Sequence, residues 1–445
     1  MVNPRGRFRM NVDGFDCLCA VAILLTFILM SFAPAAPSRF GDLYFHVEAQ
    51  NLAHALQGTG SWSDVTFIRA PGPVVYYAVP YLFVRPGSPD KTYWQAAVAW
   101  NALWMLIAVL LIRRATSLLE NARAGKIAAA LSLFAPFAVY YSFGVAAEAP
   151  AYVTATVFVY GWAAWRTEQA RRLYSRGAVI ACAGLVALIL CRPNAVVVLA
   201  IAAACGCLGW LRTRRGDADA KFATWCTVAV LATVSLITIS LKRLPSNRGL
   251  NEQGSNFSDV VFFGSFQFRS EPWDWRFWGK STRSGSVDYQ NWADTRQRLA
   301  DEAAQSGQPI SRLETRWALE DMLRHPVKRL QMFGVRVLAL NVWIANSATP
   351  EAFGVGPFGG RSIYVLFHVI LNGFALLPLF ASFWFVASNR ADFLRYWPLW
   401  GIWLGLLLFH ALTYAEPRYM LPGLPGLAIM GGCVLAAKRR KMVLQ

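Results

Sequence analysis

The sequence predicts an all-α polytopic membrane protein with about ten transmembrane helices, and three observations carry that expectation. Apolar residues make up 56% of the 445-residue chain and charged residues only 15%. With a mean hydropathy of +0.36, this balance lies outside that of soluble globular domains. The apolar residues fall in runs long enough for helices to cross a hydrocarbon core of ~30 Å at ~1.5 Å per residue. The net charge of +18 comes from short basic clusters at the ends of those runs, where orientation signals fall. The expected partner surface is therefore a lipid bilayer and not nucleic acid.

The predicted spans cover 15–35, 93–112, 126–144, 149–165, 177–191, 195–211, 222–241, 362–387, 396–414 and 420–437. The first follows Arg5, Arg7 and Arg9 and is long enough to be a true span, not a cleaved signal. Arg113, Arg114, Arg123 and Lys126 share one side with Arg166, Arg171, Arg172 and Arg176. Arg212, Arg214, Arg215, Lys221, Arg390, Arg395 and the Lys438 to Lys441 cluster fall there too, with the N-terminus. The positive-inside rule makes that side cytoplasmic. The other side receives the loop 37–92, the turn 145–148, Arg192-Pro193-Asn194, the segment 242–361 and residues 415–418. The chain thus divides into a membrane module, 1–241, with its first outer loop at 37–92. A periplasmic or interfacial segment follows at 242–361, then the C-terminal transmembrane helices at 362–445.

Local patterns refine this division. Spans five and six are separated only by Arg192-Pro193-Asn194, which predicts a helix broken at Pro193. Within 242–361 the aromatic residues from Phe262 to Trp278 suit the headgroup layer. Helical patterns cover Asp288 to Gln305 and Ile310 to Arg324. Pro326 opens an apolar stretch, 327–344, whose Lys328, Arg329 and Arg336 favour an interfacial amphipathic helix over a span. The eight cysteines lie in or at the ends of apolar runs, so no disulfide framework or zinc spacing is implied.

The outward-facing residues carry the candidate chemistry. Asp42 stands where the first span has ended and an amphipathic helix begins. That helix places His46, Gln50, His54 and Gln57 on one sector, and Phe45, Ala49, Leu52 and Leu56 on an apolar stripe that should lie on the membrane. Spacing leaves Asp42 open as a helix N-cap or a base. Asp42 and His46 at i and i+4 form a weak metal pair, and a solvated polar face is the plainer reading of His46. Arg69 opens a Pro-rich stretch that predicts a turn and a short helix returning to the membrane surface. Glu148 begins a helix, where the dipole favours a carboxylate. Arg192 has no acid near it in sequence, so it calls for an anionic partner, a lipid phosphate being a natural one. Glu416 and Arg418 are spaced to pair, while Pro417, Pro422 and Pro425 with Gly423 make the start of the last span irregular.

Taken together, these features resemble the GT-C superfamily of integral-membrane glycosyltransferases. The nearest branch holds the protein O-mannosyltransferases and the bacterial aminoarabinose transferases of lipid A. The resemblance runs almost end to end, and its most specific part is the closing Glu416, Arg418, Tyr419, Pro422 and Pro425. It implies a GT-C fold and a polyprenyl-phosphate sugar as donor. A glycan, lipid or protein serves as acceptor, in the bacterial cytoplasmic membrane, with the site facing the periplasm and both termini cytoplasmic.

It also implies that Asp42 is the catalytic carboxylate and that Arg192 and Arg418 bind the donor phosphate. Glu148, Glu416, Tyr419, His46, Glu48 and Arg69 then support or contact substrate. The family often has Asp-Glu here; this chain has Asp42-Leu43, leaving Glu48 or Glu148 as substitutes for a second acid. Metal use varies in the superfamily, so a divalent metal is neither assigned nor excluded. The competing readings are an O-antigen ligase or polymerase, with key residues in 242–361, and a lipid-linked-sugar transporter or flippase.

Overall fold

A computed structural model describes residues 13–31, 43–67, 69–133, 144–168, 171–213, 217–243, 256–267, 269–270, 287–341, 376–415 and 417–443. Over these residues the chain is helical, and no strand occurs. The N-terminal half contains α1 (Gly14–Ser31), α2 (Leu43–Leu56), α3 (Pro71–Tyr81), α4 (Asp90–Leu119), α5 (Ala122–Leu133), α6 (Glu148–Thr167), α7 (Arg176–Cys191), α8 (Val197–Thr213) and α9 (Ala218–Lys242). Then come α10 (Asn256–Gly264), α11 (Val287–Ser306), α12 (Ile310–Arg324) and α13 (Pro326–Asn341). The chain closes with α14 (Leu376–Ser388), α15 (Trp397–Leu412) and α16 (Leu424–Val443).

Each of the ten predicted spans overlaps a helix among its described residues, although 134–143 and 362–375 lie outside them. Among the described residues, four helices are long and apolar enough to cross a membrane by length and composition: Asp90–Leu119, Pro193–Arg212, Ala218–Leu241 and Tyr419–Ala437. Leu18, Leu24, Val179, Leu211, Leu236 and Trp384 stand exposed along α1, α7, α8, α9 and α14. Such an apolar exterior is stable in lipid and not in water.

The main core joins α4 to α9 with α13, α15 and α16. Its tightest seam is α6 against α7. A Cβ on Gly161 would meet the Ala181 backbone nitrogen at 2.3 Å, and one on Gly184 would meet that of Phe158 at 2.5 Å. Small residues let the two backbones touch, which replaces the hydrophobic drive that lipid cannot supply. At one end of this bundle Arg166 binds Asp219 at 2.8 Å and Arg395 binds Asp392 at 2.9 Å. Arg113 and Lys126 hold Asp13 at 2.7 and 3.0 Å. Basic groups expected to share one side thus meet the few acids there. Glu148 stands at the opposite end of α6 from Arg166.

The helix break at Pro193 is seen: Arg192 caps α7, and Pro193–Val196 forms a 3-10 turn before α8. The last helix is irregular at its start as expected, with a 3-10 turn over Pro417–Gly423. All eight cysteines are free.

In the segment that follows α9, helices α10, α11 and α12 share a small core of Phe262, Phe266, Leu299 and Leu313. Its helices follow the sequence pattern closely, and α13 begins at Pro326 as predicted. Arg336, 2% exposed, ties this segment to the bundle. Its guanidinium donates to the carbonyls of Ala411 and Leu412 at 3.2 and 3.3 Å, to that of Gln267 at 3.4 Å and to that of Gly264. The first two are carbonyls at the C-terminus of α15, which have no partner inside their own helix. Gln267 strengthens the junction by donating to Ala415 O at 2.7 Å and accepting from Ala415 N at 2.8 Å. Arg336→Met is expected to cost on the order of 3 kcal/mol by leaving these acceptors unmet. An unchanged melting temperature in detergent would show that the clamp contributes nothing.

Candidate active site

Two clusters face the end of the bundle at which Glu148 stands, and α3 joins them. The first is built by α2, α3 and the start of α4. Phe45, Ala49 and Leu52 are buried against Val74, Tyr77 and Tyr81. Three of the four residues of the α2 apolar stripe are therefore packed on protein, while Leu56 stays exposed. The polar sector is used as well, contrary to a solvated face.

His46 Nδ1 lies 2.8 Å from the Tyr81 hydroxyl, and His54 Nε2 lies 2.8 Å from that of Tyr93. Gln57 donates to Leu82 O at 2.9 Å. Glu48 accepts the Thr66 backbone N–H at 2.8 Å, which fixes the returning loop. Arg69 lies over the Tyr44 ring at 5.2 Å, and its backbone N–H donates to the Tyr44 hydroxyl at 3.2 Å. Among the described residues no group of three His, Cys, Asp or Glu is placed to hold a metal; His46 Nε2 instead faces Asp90 at 3.7 Å.

Burial lowers the His46 pKa below its ordinary 6.5, and the Asp90 carboxylate opposes that shift. Burial pushes the Tyr81 phenol up, so it stays neutral. A histidine with a depressed folded pKa stabilises its docking above about 6.5, and the contribution is lost as pH falls through the folded value. Amides of residues 43–56 are expected to exchange faster at pH 5.5 than at pH 7.5 after correction for intrinsic rates. His46→Gln should flatten that difference; the same pH dependence in the variant would remove His46 from the explanation.

The second cluster lies at the broken helix. Glu148 and Arg192 form an ion pair with side chains 4% and 14% exposed. Arg192 therefore has an acidic partner, 44 residues away in sequence. Its guanidinium also lies over the Tyr419 ring at 4.8 Å. His410 stacks on Tyr419, with centroids 4.4 Å apart and planes at 28°.

His410 Nδ1 lies 3.1 Å from Tyr414 O and Nε2 lies 3.4 Å from the Asn194 amide nitrogen. A carbonyl only accepts, so Nδ1 carries the proton and Nε2 accepts. The buried Nε of Arg192 has no partner among the described residues. The 3-10 turn Pro417–Gly423 packs on α6 and α15 and so carries Tyr419 into this cluster.

Helix α3 couples the clusters. A Cβ on Gly72 would meet the Cys191 sulfur at 2.6 Å, next to Arg192. Tyr77 donates to Gly144 O and Ala146 O at 3.0 and 2.9 Å, and Asn101 donates to Gly144 O at 3.0 Å. These bonds hold the turn that leads into Glu148.

The structure thus brings Glu148, Arg192 and Tyr419 together and places His46, Glu48 and Arg69 in the neighbouring cluster. Asp42 and Glu416 lie outside the described residues, as does the side chain of Arg418, whose backbone belongs to the 3-10 turn. Sequence reasoning missed Asn101, Asn194 and His410. The lone polar residues in apolar runs, Asn101 and His410, were the available signal.

No protein-family model and no curated protein sequence matches the chain, but solved structures do. The archaeal oligosaccharyltransferase AglB from Archaeoglobus fulgidus, in complex with an inhibitory peptide and a dolichol-phosphate, aligns over 97% of this chain and 51% of its own. Identity is 14% and the TM-score 0.51. The Archaeoglobus fulgidus oligosaccharyltransferase tethered to an acceptor peptide containing the NVT sequon aligns over 97% and 50%, at 13% identity and a TM-score of 0.53. ArnT from Cupriavidus metallidurans, bound to undecaprenyl phosphate, aligns over 96% and 77% at 14% identity, but its TM-score of 0.35 carries no argument.

The chain therefore shares its fold with these oligosaccharyltransferase structures. The chain spans about half the length of the oligosaccharyltransferases it matches.

Proposed function

We propose that the chain is an inverting glycosyltransferase that moves a sugar from a polyprenyl-phosphate-linked donor to an acceptor hydroxyl at the outer face of the bacterial cytoplasmic membrane. The observation that carries this reading is the Glu148–Arg192–Tyr419 cluster at a helix break, within a fold shared over 97% of the chain with oligosaccharyltransferase structures. One of those proteins holds a dolichol-phosphate and the other an acceptor peptide, which supports a lipid-linked donor in this fold.

In the proposed mechanism, Asp42, directly before α2, takes the proton of the acceptor hydroxyl. The acceptor oxygen attacks the anomeric carbon from the face opposite the phosphate, and the bond from that carbon to the phosphate oxygen breaks. Polyprenyl phosphate leaves with the electron pair, so phosphate needs no general acid. Arg192 and Arg418 stabilise the negative charge developing on it, and Tyr419 holds the guanidinium of Arg192 in place.

Glu148 sets the position of Arg192 and reduces its net charge, which permits a doubly charged product phosphate to depart. His46 ties α2 to Tyr81 of α3 and Glu48 ties it to the loop before α3; Arg69 lies beside Tyr44 in the same unit. The basic clusters at the far end orient the chain with that end, and both termini, cytoplasmic.

Cells lacking the gene are expected to accumulate a polyprenyl-phosphate sugar and to lose one surface decoration, on a glycan, lipid or protein. Mass spectrometry of the lipid fraction and of surface glycans reads both changes. Unaltered lipid-linked sugars and unaltered glycans would sink the proposal. Movement of a labelled lipid-linked sugar across reconstituted vesicles without transfer would replace it with a flippase.

A further inference from the structure

A cavity of ≈ 540 Å³ lies in the segment that follows α9, between Phe266 and the helices α11 and α12. Its volume falls in the range of small-molecule sites. Trp317 from α12 stacks on Phe266 at 4.9 Å with planes 11° apart, and Phe262 meets its edge at 5.3 Å. The indole is thus fixed in orientation.

From α11, Asn291, Asp294, Thr295 and Arg298 line the cavity at helical spacing, one face of one helix. Arg298 donates to the Thr295 hydroxyl at 3.0 Å. The Asp294 carboxylate and the Asn291 amide are exposed, and neither has a side-chain partner among the described residues. Arg269 completes the wall, but its charge is met by Asp321 at 2.9 Å.

We propose that this cavity binds a saccharide unit of the acceptor. The chemistry matches a polyol better than other ligands. Hydroxyls donate to Asp294, exchange bonds with Asn291 and accept from Arg298, while the apolar C–H face of a sugar ring lies on aromatic surface. A simple anion would meet Asp294, and a lipid tail would meet a charged wall.

The position also fits. Phe263, one turn before Phe266, lies 5.1 Å from Trp292 of α11 and 5.1 Å from Tyr414. Tyr414 is 6.3 Å from Tyr419, the residue beneath Arg192. A row of rings therefore separates the cavity from the ionic cluster, so a glycan held in one reaches toward the other. The role as acceptor rests on the glycosyltransferase reading; saccharide binding itself does not.

The test uses the full chain in lipid nanodiscs. Glucose, mannose, galactose, N-acetylglucosamine, glucuronic acid and their β-linked disaccharides are the probes, read by saturation-transfer NMR and titration calorimetry. At least one probe is expected to bind, with affinity at least tenfold weaker in Asp294→Ala and in Arg298→Ala, two exposed positions, and in Trp317→Leu. Arg192→Lys should leave that binding unchanged. In turnover assays Asp294→Ala should raise the acceptor KM at least tenfold.

If no probe binds, or if binding is the same in all three cavity variants, the proposal is overturned even where sugar transfer is intact. If binding is lost in the variants but the chain transfers no sugar, the cavity stands as a saccharide site and the glycosyltransferase reading falls.

Discussion

Asp42→Asn is expected to lower sugar transfer by ~10²- to 10⁴-fold, the usual loss when a positioned general base is removed. The amide keeps the size and capping capacity of the carboxylate but cannot take the acceptor proton. Folding should therefore survive: Asn caps a helix as well as Asp does, and α2 is held by His46 on Tyr81, His54 on Tyr93 and Glu48 on Thr66. Donor binding, measured by retention of a polyprenyl-phosphate sugar analogue, should change little, so the loss should appear in kcat. An Asp42→Asn protein that reaches the membrane and transfers sugar at the wild-type rate would remove Asp42 from catalysis. If Glu48→Gln or Glu148→Gln, and not Asp42→Asn, abolished transfer, the base would be reassigned.

Arg192→Ala should have the second large effect, on stability and activity together. Its removal leaves the Glu148 carboxylate, 3% exposed, without its cation. Breaking a buried pair from one side costs about 3 to 5 kcal/mol, because the remaining charge stays in a medium that cannot solvate it. The double variant Glu148→Gln, Arg192→Gln removes both charges and should recover most of the lost melting temperature in detergent. It should not recover transfer, since the phosphate still lacks its guanidinium. Arg192→Lys separates the roles further: it keeps a charge for Glu148 but loses the planar fork and the face packed on Tyr419. If the double variant restored transfer, Arg192 would be only a structural counter-ion.

The two clusters differ in how far sequence could reach them. Periodicity set α11, α12 and α13 almost to the residue, since those helices have strong amphipathic patterns and Pro326 marks a start. The break at Pro193 was equally legible, because proline has no N–H for the helix ladder. The face of α2 was not. His46 and Gln57 have the spacing of a solvated sector, and nothing in that spacing reveals that Tyr81 and the Leu82 carbonyl lie across from them.

By itself the sequence determined the class of molecule. Its apolar runs, basic ends, broken helix and closing Glu416 to Pro425 motif follow from local composition and from covalent constraints on proline. The tertiary structure alone decided which charges meet. Glu148 and Arg192 are 44 residues apart, and Arg192 and Tyr419 lie farther still along the chain. Ion pairing and stacking act through space, between groups at helix ends that packing brings together. A sequence names those groups but does not say which stand opposite one another. Arg192 therefore read as a cation awaiting a phosphate, and the fold gave it Glu148.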